Sequence, residues 1–531
     1  MIKFANLLFA AGVLSLGLLG EPVLADTPKD TLVMAKQIDD IITLDPAEVF
    51  ELSGGEVIAN IYDRIMTYEA EDTQKLVPGV AESNSVSDDG KTITLKIRPG
   101  QKFHSGNPLT AEDVAFSIQR VIILNKTPAF IFSQLGWTPE NVKDLVKAKD
   151  DLTVELTITE DFAPTFVLNC LSAGVGSVVD KKLVLEHQNG DDLGYEWLKT
   201  NSAGSGPYKL RAWKPNDSVV LEAADGYWGG DVALKRVFVR HVPEGASRRL
   251  LVEQGDADIA RRLPPNDAQA IAANPELKLF EEQRGRIYYL GANQKHEALG
   301  KPEVVQALRY LIDYEGMTNS ILKGQYVVHQ SFLPIGFLGA IEDNPFKLDV
   351  AKAKELLTQA GYPDGFEVEI SVRNEQPALD IAQAIQNTLG QAGIKASIKS
   401  GAGAEILDSY RARTHELIVQ NWGPDYPDPQ TNASTFAANP GNADEDKNTG
   451  YLAWRNAYAA DETKAMVDAA VVEKDTEKRR AMYEEMQRID QQKSPIICMF
   501  QETEQVGLGK TVEGFSTGGA VASAFYWTVT K

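Results

Sequence analysis

Two carboxylates and two aromatic rings fall close together in Trp422-Gly423-Pro424-Asp425-Tyr426-Pro427-Asp428-Pro429. The apolar run Leu417-Ile418-Val419 just before them reads as the end of a buried strand. The three prolines then remove ladder donors and push their preceding residues to extended geometry. The strand must stop there and present a stiff edge. An edge bearing Trp422, Tyr426, Asp425 and Asp428 can grip a ligand with an apolar part and a positive charge. The same residues also suit a surface turn around a core tryptophan.

Other chemistries find less support. The six histidines, His104, His187, His241, His296, His329 and His415, are scattered singly, and none has metal-ligand spacing to another histidine or to a cysteine. Gly514-Phe515-Ser516-Thr517-Gly518 matches the nucleophile-elbow pattern, but no histidine follows His415, so the chain order of an α/β-hydrolase fails. Neither a Walker A sequence nor a dinucleotide fingerprint occurs. A binding protein without cofactor or metal is therefore expected. The rivals are a secreted hydrolase, which needs a catalytic group, and an adhesin or holdase, which needs no small-ligand site.

The elements that would position the loop alternate between α and β. Strands are expected at 31–35, 92–97 and 153–159, and helices at 53–68, from Thr110, and at 244–254. Twice in the third quarter an amphipathic helix ends in Gln-Ala-Gly and feeds a strand: helix 349–359 before strand 367–372, and helix 378–391 before strand 394–398. This repeat implies βαβ units in a partly parallel sheet, whose ligands bind beyond the carboxyl ends of the strands. The 422–429 loop follows the next strand. A helical region over 464–489 then leads to a buried strand at 495–500.

Residues 1–25 carry Lys3, an apolar stretch over 4–19 and Val23-Leu24-Ala25, as in a secretory signal peptide cut before Asp26. Without twin arginine or a cysteine at the cut site, general secretion of a soluble protein is expected, not lipid anchoring. The remaining length far exceeds the ~250–300 residues at which single cores stop growing, so two or more domains are expected. A net charge of −22 argues against nucleic acid as partner. Cys170 and Cys498 both stand in apolar surroundings; an exported pair could bridge, but a large core needs no staple and two buried free thiols are equally ordinary, with the balance toward no disulfide.

Several further motifs occur in a fixed order: Leu44-Asp45-Pro46, Ile61-Tyr62-Asp63, Pro78-Gly79-Val80-Ala81-Glu82-Ser83, Lys96 through Gly106, Thr110-Ala111-Glu112-Asp113-Val114, Gly206-Pro207-Tyr208, Gly226-Tyr227-Trp228, and Asn293 with Val305-Gln306-Ala307-Leu308. Together with the 422–429 loop they resemble the extracellular solute-binding proteins of peptide and nickel type ABC importers. The likeness spans nearly the whole chain after the signal.

The resemblance implies an α/β, two-lobed periplasmic-binding-protein (Venus-flytrap) fold. The large lobe would consist of one subdomain from 26–68, 202–286 and 494–531 and an inserted subdomain, 69–201. The second lobe would be 287–493, with hinge crossings near Gly285 and Ser494. It further implies a monomer that closes over a di- or oligopeptide without catalysis and docks on inner-membrane permease subunits driven by cytoplasmic ATPases. Asp425 aligns with the acid that pairs with a peptide's ammonium group in oligopeptide-binding members. Trp422 would wall a side-chain pocket, Tyr426 beside it would be a ligand-binding residue, Phe50 and Leu52 would meet the ligand backbone, and Tyr288 and Tyr289 would form the hinge-side wall. The arginines that meet the peptide carboxylate in some members have no aligned equivalent, since Val419 and Tyr410 stand there, with Arg411 and Arg413 nearby. Members of the family also carry opines, sugars, nickel complexes or haem, which keeps a non-peptide solute as the alternative.

Overall fold

Glycine stops and side-chain caps set the helices that flank the main sheet. In this computed structural model, which describes residues 27–69, 75–519 and 524–531, the helix Val350–Gln359 starts at Asp349, whose carboxylate accepts the Lys352 N–H at 2.8 Å. Gly361 and Gly393, at φ of +90° and +87°, follow this helix and Ala378–Gln391 in the left-handed conformation that glycine adopts without a Cβ penalty. Each helix returns the chain to a strand. Glu367–Arg373 pairs in parallel with both Lys395–Gly401 and Leu417–Trp422, giving the expected βαβ pattern. The signal-peptide residues lie outside the described ones. Among the described residues no helix is long and apolar enough to cross a membrane.

One mixed sheet of 11 strands runs through the molecule. Its middle is formed by two long antiparallel strands, Leu277–Ala292 and Ile496–Gly509. Leu417–Trp422 and its parallel neighbours extend the sheet on one side, and Thr31–Lys36, parallel to Arg236–His241, extends it on the other. The period of two along a strand explains the cores of the second lobe. Tyr288, Leu290, Leu417 and Val419 enter one apolar cluster, while Ile287, Tyr289 and Ile418 enter another on the opposite face. The large lobe has its own cores. One is built mainly from residues 80–178 around Trp137 and Phe166, over a four-stranded antiparallel sheet, and another from segments 32–62, 179–239 and 506–529.

The long strands join the two lobes. Ile496 to Phe500 contribute to apolar cores beside 287–292, and Val506 and Leu508 to the core built from 32–62, 179–239 and 506–529. The alternating apolar residues from Ile496 onward fit the two faces beside 287–291.

Two helices differ from expectation. The helix expected over 53–68 stops at Ile61. The Ile61 carbonyl instead accepts the Gly206 N–H, and that of Asp63 accepts the Val178 N–H at 2.9 Å, so tertiary bonds replace helical ones. Met66–Tyr68 then forms a strand with Leu76–Pro78. The region 464–489 is two helices, Asp461–Val472 and Thr476–Lys493, the second capped by Asp475. Cys170 and Cys498 are buried and unbonded, in different cores.

Candidate ligand cleft

The pairing of the two long strands breaks where they leave the large lobe. Gln283 pairs with Thr503 and Ile287 with Gln501, so Arg284, Gly285 and Arg286 bulge opposite Glu502 alone. Such a bulge re-aims side chains, and here all four residues line a cavity of about 300 Å³. Glu51 and Leu52 face it from the start of the helix Leu52–Ile61, with Phe50 just before them, and Pro128 and Ile131 from the short helical segment of the inserted region. Asn421, Gly423, Pro424 and Asp425 close it from the second lobe. It thus lies at the hinge, between the lobes.

Asp425 is a carboxylate of this cavity that pairs with no cation among the described residues. Its backbone N–H donates to the Thr431 hydroxyl oxygen at 3.1 Å. Burial raises its carboxyl to about 7, opposed by the Thr431 hydroxyl, and no cation among the described residues takes part in holding it ionised. Arg284 is already engaged, donating to the Thr517 carbonyl and lying 3.4 Å from Glu504. Arg286 lies 3.4 Å from Glu502, whose charge holds the guanidinium above its ordinary pKa. The arrangement offers an acid for a cation and, at the hinge, an arginine for an anion.

The loop is stiffened by its second acid. Asp428 is fully buried and receives two guanidinium bonds from Arg479, at 2.8 and 2.7 Å, and the Gln430 N–H at 2.9 Å. Such a bidentate pair fixes orientation.

Of the expected site residues, Phe50, Leu52 and Asp425 come together at the cavity. The others are placed elsewhere. Tyr426 points away into the large lobe's inserted core, edge to face with Phe166 at 6.0 Å. Trp422 is half-buried against a second-lobe core, and its indole N–H has no acceptor among the described residues. Tyr288 packs on Tyr326 and Tyr289 on Phe436, in cores on opposite sheet faces. Arg413 donates to Asn442 and pairs with Asp444 at 2.8 Å, its guanidinium over the Trp454 ring; Arg411 is exposed at the end of the helix Gly403–Arg411. Ser516 of the elbow-like sequence donates to Glu282 at 3.0 Å.

Arg286, Glu502, Asn421 and Ile131 were not among the expected site residues. A glycine in a strand interior is a bulge signal, and Gly285, between Arg284 and Arg286, carries it. Nothing local marks Ile131.

Two lobes on a pair of bulged strands, with a buried acid facing the cavity between them, have the architecture of a two-lobed binding protein. The chain belongs to the bacterial extracellular solute-binding proteins, family 5, whose middle-region model matches residues 75–444. It is 29% identical over 501 residues to the probable D,D-dipeptide-binding periplasmic protein DdpA of Escherichia coli K12, covering 92% of both chains. To the glutathione-binding protein GsiB of Pectobacterium atrosepticum it is 29% identical over 395 residues, covering 74% of this chain and 72% of the relative. The fold matches that of the periplasmic binding protein DppA from Helicobacter pylori, solved with the peptide STSA, at a TM-score of 0.78 and 23% identity, covering 94% and 98% of the two chains.

Proposed function

We propose that this protein is the periplasmic binding component of an ABC importer for short peptides, exported by its N-terminal signal and acting by closure without catalysis. The observation that carries the reading is Asp425, a carboxylate held in a cavity between lobes with no cation among the described residues to neutralise it. An α-ammonium group fits there, because a charge taken out of water must recover its hydration in charge-assisted hydrogen bonds. Arg286 at the hinge supplies the counterpart for a ligand carboxylate. The relatives named for dipeptides and glutathione, and the neighbour solved with a peptide, support a ligand of this kind. A volume near the lower end of small-ligand cavities supports a short one.

Closure follows from differential binding. A ligand moves the open and closed populations only by contacting the closed form better, and a shift from 1:99 to 99:1 takes ~5.5 kcal/mol. Residues 284–286 and 501–503 act as the two hinge crossings, and the closed form docks on the inner-membrane permease whose cytoplasmic ATPases drive import. The large lobe comprises a subdomain from both chain ends and an inserted subdomain, as the separate cores support. Titration calorimetry of Asp425→Ala tests the reading: binding of dipeptides with a free amine falls, while that of N-acetylated ones is spared. Equal loss for both defeats the role of Asp425.

A further inference from the structure

The cavity wall is divided by chemistry. Arg286, Glu502, Asn421 and Asp425 form its hinge and second-lobe sides, whereas the large-lobe wall is mainly apolar, with Glu51 and Arg64 as its charged members. There Phe50 and Phe130 meet edge to face, with ring centroids 6.1 Å apart and planes at 82°. Phe50 lines the cavity, and Phe130 lies between Pro128 and Ile131, which also line it. Phe50 and Phe130 remain 44% and 41% exposed, although Ile131 beside them is 2% exposed. A single exposed phenylalanine needs no explanation. Two that touch, from separate segments of the large lobe and beside a ligand cavity, leave apolar surface in water that a ligand can cover.

We propose that Phe50 and Phe130 form an apolar subsite that selects ligands bearing a bulky aliphatic or aromatic side chain, an inference that rests on the peptide-binding reading above. The occupant is one side chain of the same ligand whose ammonium group meets Asp425. Its charged end engages the second lobe and its apolar end the large lobe, so the side chain itself contributes to closure. Phe130 is exposed and outside the packed core, so truncating it leaves the fold intact.

Calorimetric titration of the exported protein with glycyl-glycine, leucyl-glycine and glycyl-leucine tests this in three forms: unaltered, Phe130→Ser and Phe130→Leu. The unaltered protein is expected to bind one of the leucine peptides about tenfold more tightly than glycyl-glycine. Phe130→Ser removes most of that advantage and Phe130→Leu keeps it. Equal affinity of the unaltered protein for all three peptides, or a Phe130→Ser loss that is the same for each, overturns the subsite and leaves the peptide reading standing. No binding of any peptide overturns both.

Discussion

Asn169 donates its side-chain amide to Asp428 at 2.9 Å, joining the inserted part of the large lobe to the loop of the second lobe. Two neighbouring contacts cross the same gap: Tyr426 against Phe166, and the Ala163 N–H donating to the Val471 carbonyl at 2.8 Å. The loop that presents Asp425 to the cavity therefore also clasps the opposite lobe. Its alternate residues divide the work, with Asp425 facing the ligand space and Tyr426 and Asp428 facing the partner lobe.

These contacts should favour the closed form without touching the ligand. A hydrogen bond to a charged group contributes about 1.5–3 kcal/mol, and apparent affinity scales with the closed fraction. Asn169→Ala should therefore enlarge the radius of gyration of the unliganded protein in small-angle scattering and weaken dipeptide binding by about tenfold. Tyr426→Ala should act in the same direction. A scattering curve unchanged in both variants would show that the clasp does not set the open–closed balance.

The Asp428–Arg479 pair is a stability element, because each partner is nearly or fully buried and each has other bonds to satisfy. Arg479 also donates to the Ala470 carbonyl at 3.0 Å and to the Tyr483 hydroxyl at 3.0 Å. Arg479→Met would leave the carboxylate buried without its cation, which costs about 3–5 kcal/mol. The expected outcome is a lower midpoint of urea unfolding, and the double variant with Asp428→Asn should recover part of it.

Binding should depend on pH through Asp425. Its carboxyl is raised to about 7 by burial, and an ammonium partner requires it ionised. Affinity for a free-amine dipeptide should fall as pH drops below 7, approaching tenfold per unit, with a proton released on binding. The stability effect has the opposite sign. The folded pKa lies above the unfolded value of ~3.9, so Asp425 favours the folded state at acid pH, and that contribution is lost as pH rises from about 4 to 7. Asp425→Asn should thus melt higher than the parent at pH 8 while losing the pH-dependent binding. Calorimetry in buffers of different ionisation enthalpy reads the proton release; an affinity flat from pH 5.5 to 8 would sink the assignment.

Local patterns carried the sheet and its helices in the sequence, while long-range choices stayed hidden. Gln359-Ala360-Gly361 and Gln391-Ala392-Gly393 announce helix ends because a left-handed glycine is a local requirement, and the parallel pairing follows from it. The Trp422-to-Pro429 loop was legible as a stiff edge after a strand for the same reason. Which way Tyr426 turns was not, since its partner Phe166 is distant in sequence and either face of the loop could have met the cavity. Arg413 was a plausible carboxylate partner by proximity to Tyr410, but Asp444 and Trp454 claim it after folding. The division of Ile496–Gly509 between cores is not legible in the sequence, because an apolar strand does not state which core it enters.

In the proposed peptide reading, the other end of the ligand falls to Arg286. Its Nε lies 3.4 Å from Glu502, and the side chain is still 28% exposed at the cavity, so further guanidinium donors remain for a carboxylate. Planar, bidentate donation suits a peptide terminus better than a lysine would. Arg286→Gln should lower affinity for dipeptides with a free carboxylate by roughly tenfold to a hundredfold, the range for hydrogen bonds to charged groups, while C-terminally amidated dipeptides lose little. If Arg286 serves only to hold Glu502 and the bulge, both peptide forms should weaken equally, and the unliganded scattering curve should change as well. Paired titrations with the free and amidated peptides separate the two roles, because a hinge effect acts on every ligand and a carboxylate contact acts on one end of one kind.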